Sequence, residues 1–148
     1  LLEIQDVAPR SDAFVVNGHE SNFGRVITNL LDNALSFSPV DGVVTVKAQR
    51  NGSAVEISVR DQGPGIPAES IDKIFERFYS DRPQSDRVSG KNSGLGLSIS
   101  REIVAAHGGQ IWAENLVEGG RVTGACFQVR LPCADVRTMG RRPRKELT

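Results

Sequence analysis

A six-residue turn segment, 61–66, most constrains how this chain can fold. It follows an alternating apolar run, Val55, Ile57 and Val59, which predicts one face of a half-buried strand. Its sequence, Asp-Gln-Gly-Pro-Gly-Ile, places a carboxylate at the strand end, before two glycines separated by a proline. The glycines let a ligand approach the backbone, the proline stiffens the turn, and the carboxylate can accept hydrogen bonds from an amino group such as that of adenine. Taken alone, an ordinary surface turn explains the segment equally well.

A long amphipathic helix is predicted over Glu20–Phe37, where apolar residues recur at i, i+3, i+4 and i+7, and Pro39 follows its end. Asn29 and Asn33 lie one turn apart on the same side of this helix. Asparagine is a mediocre helix former, so two in the middle of a helix favour a shared polar ligand, such as hydrated Mg²⁺ or phosphate oxygens. Exposure of both amides to water is the competing interpretation.

The remaining periodicity predicts about six strands and three helices. The predicted strands are 2–7, 14–16, 44–48, 55–59, 111–116 and 125–131, and the helices are 20–37, 67–78 and 97–105. Between the last two helices, residues 80–93 are almost all polar or turn-forming. A connection this long in a compact domain is typical of a functional lid or of disorder.

The polar segment ends in Gly94-Leu95-Gly96, and the third predicted helix begins at once. Glycines at the start of a helix leave backbone N–H groups and the positive end of the helix dipole open to a phosphate. A single Gly-x-Gly pattern is weak evidence by itself. The lid-like segment that precedes it strengthens the interpretation.

Composition narrows the class of protein. The 148 residues are 39% hydrophobic and 24% charged with zero formal net charge, as expected for one globular domain without a nucleic-acid-binding surface. No apolar run approaches the roughly 18 residues of a membrane span. Cys126 and Cys133 lack metal-site spacing and favour a reducing compartment. The start at Leu1, without a methionine, suggests a piece of a longer protein, and the basic residues 134–148 predict a disordered tail.

Four motifs in fixed order carry a family resemblance. They are Asn-Leu-Leu-Asp-Asn at 29–33, Asp-Gln-Gly-Pro-Gly at 61–65, Phe-Glu-Arg-Phe at 75–78 and Gly-Leu-Gly-Leu at 94–97. Together they resemble the N, G1, F and G2 boxes of the ATP-binding catalytic domain of sensor histidine kinases, in the superfamily with the Bergerat fold. The match covers residues 1–133, nearly the whole chain. Residues 78–83 and 92–100 resemble the ChvG type of envelope-sensing kinase.

The resemblance implies a fold and an activity. The expected fold is a two-layer α/β sandwich, with a mixed, mostly antiparallel sheet covered on one face by three helices and with a flexible ATP lid. The expected activity is that of a protein histidine kinase, using ATP and Mg²⁺ to phosphorylate a histidine on a separate dimerisation domain, with a response regulator as indirect partner. The chain would be a monomeric, cytoplasmic domain of an inner-membrane sensor kinase.

The resemblance also implies roles for individual residues. Asp61 would bind the adenine amino group, Asn33 would ligate Mg²⁺, and Asn29 would line the phosphate site. Gly63 and Gly65 would pass under the base, Gly94 and Gly96 would meet the phosphates, and Phe75 and Phe78 would anchor the lid. The expected nucleotide-binding set further includes Phe37, Ile66, Tyr79, Lys91, Ser93, Leu95 and Leu97.

Two departures from the family pattern concern positive charge. Ser36 and Ser80 stand where the family often has a lysine or arginine near the phosphates. Their absence weakens charge compensation at the triphosphate, and Arg82 and Lys91 in the lid are the expected catalytic substitutes. The alternative is that both are solvated loop charges.

Three other functions are alternatives for this sequence: ATP hydrolysis, phosphorylation of serine, and nucleotide binding or docking without transfer. Hydrolases of the gyrase and Hsp90 kind place a glutamate general base four residues before the magnesium-binding asparagine; here that position is Asn29, whose amide is a poor base. Serine-directed anti-sigma kinases resemble this chain less around the lid, and a degenerate nucleotide-binding or docking module remains a further alternative. His19 and His107 lie outside any acceptor motif, so the phosphate should pass to another segment.

Overall fold

The structure, a computed structural model, describes residues 2–6, 20–77 and 96–133. It contains five strands and two helices within those ranges. In chain order they are β1 (Leu2–Asp6), α1 (Glu20–Phe37), β2 (Val44–Asn51), β3 (Ala54–Arg60), α2 (Gly96–Ala106), β4 (Gln110–Glu118) and β5 (Arg121–Pro132). Of the predicted elements and segments, the strand 14–16, the whole of the lid segment 80–93 and the tail 134–148 lie outside the described residues.

The strands form one sheet in the order β1-β2-β3-β5-β4. β1 runs parallel to β2, whereas β2, β3, β5 and β4 pair in antiparallel fashion. The predicted turns are where the hairpins reverse: Gly52 connects β2 to β3 with φ of 62°, and Gly119 and Gly120 connect β4 to β5 with φ of 57° and 76°. The expected mixed, mostly antiparallel sheet is therefore confirmed.

The core lies between one face of the sheet and the helices. α1 contributes Val26, Leu30 and Ala34, which are 2%, 0% and 0% exposed and follow the helical period read from the sequence. The sheet contributes alternate residues of its strands, such as Val59 and Phe127, which lie opposite each other in the β3–β5 register. This packing of two helices on one sheet face gives the expected α/β sandwich.

The helix predicted over 67–78 is wrong as a regular helix. Residues 68–77 form successive turns, in which Ser70 N–H bonds to the Pro67 carbonyl at 2.8 Å and Lys73 N–H to the Ser70 carbonyl at 2.9 Å. The bond from Ile74 to Ser70, at 3.1 Å, is a single four-residue step. The neighbours Ile74 and Phe75 are both 7% exposed, so tertiary packing decides over helical periodicity here. In the described residues the sheet is thus covered by two helices and a turn segment, where three helices were expected.

Neither of the two described helices combines the length and hydrophobicity that crossing a bilayer requires.

Candidate functional site

Asp61, the first residue after β3, is held in a buried position by the backbone. Its side chain is 3% exposed, and its Oδ1 accepts hydrogen bonds from Gly63 N–H at 2.9 Å and Ala125 N–H at 3.1 Å. The Asp61 N–H donates in turn to the Ala125 carbonyl at 3.0 Å. No described residue donates a hydrogen bond to Oδ2. The carboxylate is thus fixed through one oxygen and keeps the other available as an acceptor.

The two glycines of the turn segment are required by the protein's own packing. A Cβ placed on Gly63 would lie 2.7 Å from the Phe37 carbonyl oxygen at the end of α1. Gly65 has φ of 80°, and a Cβ there would overlap Val122 of β5 and lie 2.8 Å from Asn115 Oδ1. The turn therefore sits tightly between the end of α1 and the β4–β5 hairpin, whatever it binds.

Side-chain hydrogen bonds hold both ends of the turn segment. The Asn115 amide of β4 accepts from Ile66 N–H at 2.7 Å and donates to the Ile66 carbonyl at 2.7 Å. At the other end Gln62 Oε1 accepts from Val43 N–H at 2.9 Å. The segment that carries Asp61 is thereby positioned by residues far away in the sequence.

Asn29 connects α1 to the start of α2. Its amide nitrogen donates to the Gly96 carbonyl at 3.1 Å and to Ser100 Oγ at 3.3 Å, while Ser100 Oγ donates to the same carbonyl at 2.8 Å. Asn29 is half-buried and Ser100 is fully buried. The interpretation that both asparagine amides simply face water is therefore wrong for Asn29, whose side chain lies at the N-terminal end of α2.

Asn33 is half-buried one turn further along α1 and makes no hydrogen bond to a described residue. Its amide oxygen is therefore available to a ligand. Among residues 20–77 and 96–133, no group of three or more His, Cys, Asp or Glu side chains could enclose a metal ion. An amide oxygen completed by water and phosphate oxygens is a donor set that suits Mg²⁺, which keeps much of its hydration shell in proteins.

The start of α2 offers backbone N–H groups beside these asparagines. α2 begins at Gly96, where a Cβ would lie 3.6 Å from Asn29 Cγ, an ordinary contact. The described neighbours consequently leave room for a side chain at Gly96. Leu97, the next residue, is half-buried against the core.

The other expected nucleotide-binding residues are placed unevenly. Phe75 is in the core and packs edge-on against Phe127, with ring centroids 6.3 Å apart. Phe37 is 38% exposed at the end of α1, and Ile66 is half-buried. The expectations for Phe78, Tyr79, Arg82, Lys91, Ser93, Gly94 and Leu95 concern residues outside the described ranges and stay predictions.

A buried thiol lies next to this site. Cys126 of β5 is 1% exposed and pairs with Arg60 of β3 and Glu114 of β4 in the sheet register. Burial raises the pKa of the Cys126 thiol; the Arg60 guanidinium opposes this, while Glu114 and Asp61 add to it. The thiol is therefore protonated and inert near neutral pH.

Sequence reasoning overlooked two residues that shape the site. Gly124 lies beside Asp61, and a Cβ there would overlap the Asp61 carbonyl oxygen. An isolated glycine within an alternating strand indicates such a close backbone approach, so this contact could have been predicted from the sequence. Asn115 continues the inward-facing series of Ile111 and Ala113, so a polar residue at that position was also a signal.

The comparisons with known proteins agree with this geometry. Residues 18–135 match the family described as histidine kinase-, DNA gyrase B- and HSP90-like ATPases. The chain is 53% identical over 125 residues to the sensor protein ChvG of Agrobacterium fabrum, which covers 83% of this chain and 21% of that protein.

Two solved structures have similar folds. The mycobacterial sensor histidine kinase MprB superposes with a TM-score of 0.70 at 31% identity, covering 88% of this chain and 81% of that chain. The histidine kinase ThkA in complex with the response regulator protein TrrA gives a TM-score of 0.69 at 28% identity, covering 90% and 34%. The chain spans about a fifth of the length of the ChvG protein to which it is similar.

Proposed function

This chain belongs to the family of histidine kinase-, DNA gyrase B- and HSP90-like ATPases, as the catalytic ATP-binding domain of a sensor histidine kinase, and we propose its function on that basis. We propose that it binds ATP with Mg²⁺ and transfers the γ-phosphate to a histidine on a separate dimerisation domain. The full-length protein would be an inner-membrane sensor kinase of the ChvG type, with this domain in the cytoplasm. A response regulator would then take the phosphate, as the complex of the similar kinase ThkA with TrrA suggests.

The observation that carries the proposal is the half-satisfied Asp61 carboxylate. Oδ1 is occupied by the N–H groups of Gly63 and Ala125, so the orientation of Oδ2 is fixed before any ligand arrives. A buried acceptor of this kind matches the 6-amino group of adenine. It mismatches guanine, which presents a carbonyl oxygen at that position, and two facing acceptors would leave a buried polar group unpaired.

The phosphate side of the site is assigned to α1 and the start of α2. Asn33 would ligate Mg²⁺ through its amide oxygen, and the ion would supply positive charge to the triphosphate. The Asn29 amide nitrogen donates to Gly96 and Ser100, and its Oδ1 lies 3.8 Å from the position of a Cβ on Gly96. It thereby holds the N-terminal end of α2, where backbone N–H groups point along the helix axis, close to the asparagine pair.

Hydrolysis is the weaker proposal for this site. A water-activating base would have to stand at position 29, and the Asn29 amide cannot take a proton usefully at neutral pH. The site would therefore orient the γ-phosphate for an incoming imidazole, which displaces ADP. Positioning and electrostatic stabilisation of the phosphoryl group would supply the rate enhancement.

Incubation with γ-labelled ATP and Mg²⁺, with and without a histidine-bearing dimerisation domain of a ChvG-type kinase, tests the proposal. Acid-labile phosphate should appear on the added domain alone. Stoichiometric label on His19 or His107 would show that the chain supplies its own acceptor. Phosphate release without transfer would identify an ATPase, and ATP binding with neither outcome would identify a degenerate binding module.

A further inference from the structure

The amide of Asn115 makes a two-point contact with the backbone of Ile66. It accepts from the Ile66 N–H and donates to the Ile66 carbonyl, with both distances at 2.7 Å and 49 residues between the partners. Hydrogen bonds between backbone and amide groups are usually about 2.9–3.0 Å long, so both contacts are short. The asparagine side chain thus pairs with both backbone polar groups of Ile66, as a neighbouring strand would.

Three residues of the β4–β5 hairpin, Asn115, Val122 and Gly124, form the surface against which the turn segment packs, and we call this surface the seat. Val122 of β5 packs against Gly65, which has no room for a Cβ, and Gly124 leaves space for the Asp61 carbonyl. The β4–β5 register shifts between Leu116 and Val117, one residue beyond Asn115. Such irregularities bend a strand and re-aim its side chains. Asn115, which holds the turn through Ile66, therefore lies next to a point where β4 departs from regular pairing.

Asn115 makes the hydrogen bonds of this seat, whereas Val122 and Gly124 contribute only close packing against the turn. The Ala125 backbone, directly after the seat in β5, fixes Asp61 at one end of the turn, and Asn115 fixes Ile66 at the other. A turn held only at Asp61 could still rotate about its glycines, because Gly65 adopts a φ open chiefly to glycine. Fixing Ile66 removes that freedom and so keeps Gly63 in place, whose N–H helps to orient the Asp61 carboxylate.

We propose that Asn115 is a positioning residue that sets adenine selectivity by holding the turn segment through Ile66. It touches the turn and acts on the base through it. The inference rests on the proposed ATP binding and deepens it, because it names a residue outside the four sequence motifs that decides how tightly the base is recognised.

The first test is made without nucleotide. In Asn115→Ala, the Ile66 amide should exchange with solvent at least tenfold faster than in the parent, since its hydrogen bond is gone. Asn115→Asp keeps the acceptor for that N–H and loses the donor to the carbonyl, so the amide should stay protected. Ile66 protection in Asn115→Ala equal to the parent would overturn the proposal.

The second test measures base selectivity in the same proteins, with ATP and GTP in competition. Asn115→Ala should bind ATP about tenfold more weakly while GTP changes less than threefold, so that the ATP-to-GTP preference falls. The matched control is Thr123→Ala, which removes a side-chain bond of 3.3 Å from the exposed end of the same hairpin and does not touch the turn. The control should keep the parent preference.

The outcomes separate this inference from the function on which it rests. A parent protein that fails to bind ATP would overturn the proposed function. A parent that prefers ATP, together with an Asn115→Ala variant of unchanged preference, would overturn only the role of Asn115. An equal loss of ATP and GTP binding, with a lowered melting temperature, would show Asn115 to be structural and would also overturn the proposal. Asn115→Leu, which is similar in size and lacks both hydrogen-bonding groups, repeats the measurement should the alanine variant not fold.

Discussion

Asp61 and Ala125 form a reciprocal hydrogen-bonded pair: the Ala125 N–H donates to Asp61 Oδ1 at 3.1 Å, and the Asp61 N–H donates to the Ala125 carbonyl at 3.0 Å. The side chain thus takes the place of a backbone carbonyl where the β3–β5 ladder ends at Arg60 and Cys126. One carboxylate oxygen is bonded to the sheet, and the other accepts no hydrogen bond from a described residue. This division separates the structural role of Asp61 from its proposed role in binding.

The substitution Asp61→Asn should reverse the proposed base preference without unfolding the protein. An asparagine oxygen can still accept from Gly63 and Ala125, while its NH₂ group replaces Oδ2. The new donor would face the adenine amino group and suit the guanine carbonyl. Two facing donors cost on the order of 1–3 kcal/mol, so ATP affinity should fall about tenfold or more.

Competition between ATP and GTP measures this change, with the melting temperature as a check on folding. Asp72→Asn, at an exposed position in the segment 68–77, is the matched control and should leave both affinities unchanged. An Asp61→Asn protein that retains the ATP affinity of the parent would remove Asp61 from base recognition.

Two Gly→Ala substitutions should have opposite effects on stability. A Cβ on Gly124 would overlap the Asp61 carbonyl, so Gly124→Ala should destabilise the protein by roughly 1–3 kcal/mol and weaken nucleotide binding. Gly24 lies inside α1 with nothing within 4 Å of a Cβ, so Gly24→Ala should stabilise it by about 0.5–1 kcal/mol. Urea unfolding gives both values. Equal stabilities would contradict the close approach of β5 to Asp61.

The sequence was most informative where the period of the apolar residues is long and unbroken. Helix α1 begins and ends at Glu20 and Phe37, as predicted, because its apolar residues follow one helical face and Pro39 ends the pattern. The helical pattern over 67–78 misled: Ile74 and Phe75 are buried, as the pattern predicts, but the backbone buries them through successive three-residue turns and not through a regular helix. Local periodicity could not weigh that tertiary contact.

The motifs of the site could be predicted from the sequence, whereas the distant residues that hydrogen-bond to those motifs could not. Asp61 and the asparagine pair were identified from spacing and family resemblance. The Ile66–Asn115 contact joins residues 49 positions apart, and no local pattern encodes a partner at that separation. Asn29 shows the same limit: its spacing indicated a polar ligand, whereas its amide nitrogen bonds to Gly96 and Ser100 on another helix.

Asn33→Ala should weaken ATP binding in the presence of Mg²⁺ and change adenosine binding little. Adenosine has no phosphates and needs no ion, so a residue that ligates Mg²⁺ should not affect it. Calorimetry with both ligands, with and without Mg²⁺, measures the difference. An equal loss for ATP and adenosine would point to a structural role for Asn33, and an unchanged ATP affinity would place the ion elsewhere.

The two lid cations should matter for transfer more than for binding of the product nucleotide. If Arg82 and Lys91 replace the cations that the family often has at positions 36 and 80, as expected, then Lys91→Ala or Arg82→Ala should slow phosphotransfer to a supplied histidine domain tenfold or more. ADP affinity should change less than ATP affinity. Arg87→Ala, in the same segment 80–93, is the control. Rates within twofold of the parent for both variants would mean that Mg²⁺ and the start of α2 neutralise the triphosphate alone.

The Cys126 thiol should react far more slowly with a thiol reagent than Cys133, which is only half-buried. Burial raises the pKa of Cys126, so the folded protein holds this proton to higher pH than the unfolded chain does. The unfolding free energy should therefore be unaffected by this group below about pH 8.5 and should fall as the pH rises above it, by at most about 1.4 kcal/mol per pH unit. Urea unfolding at several pH values, compared between the parent and Cys126→Ala, isolates the contribution. A parent protein whose stability falls no more steeply than that of the variant, or equal labelling of both cysteines, would show that the thiolate forms as readily in the folded state as in the unfolded one.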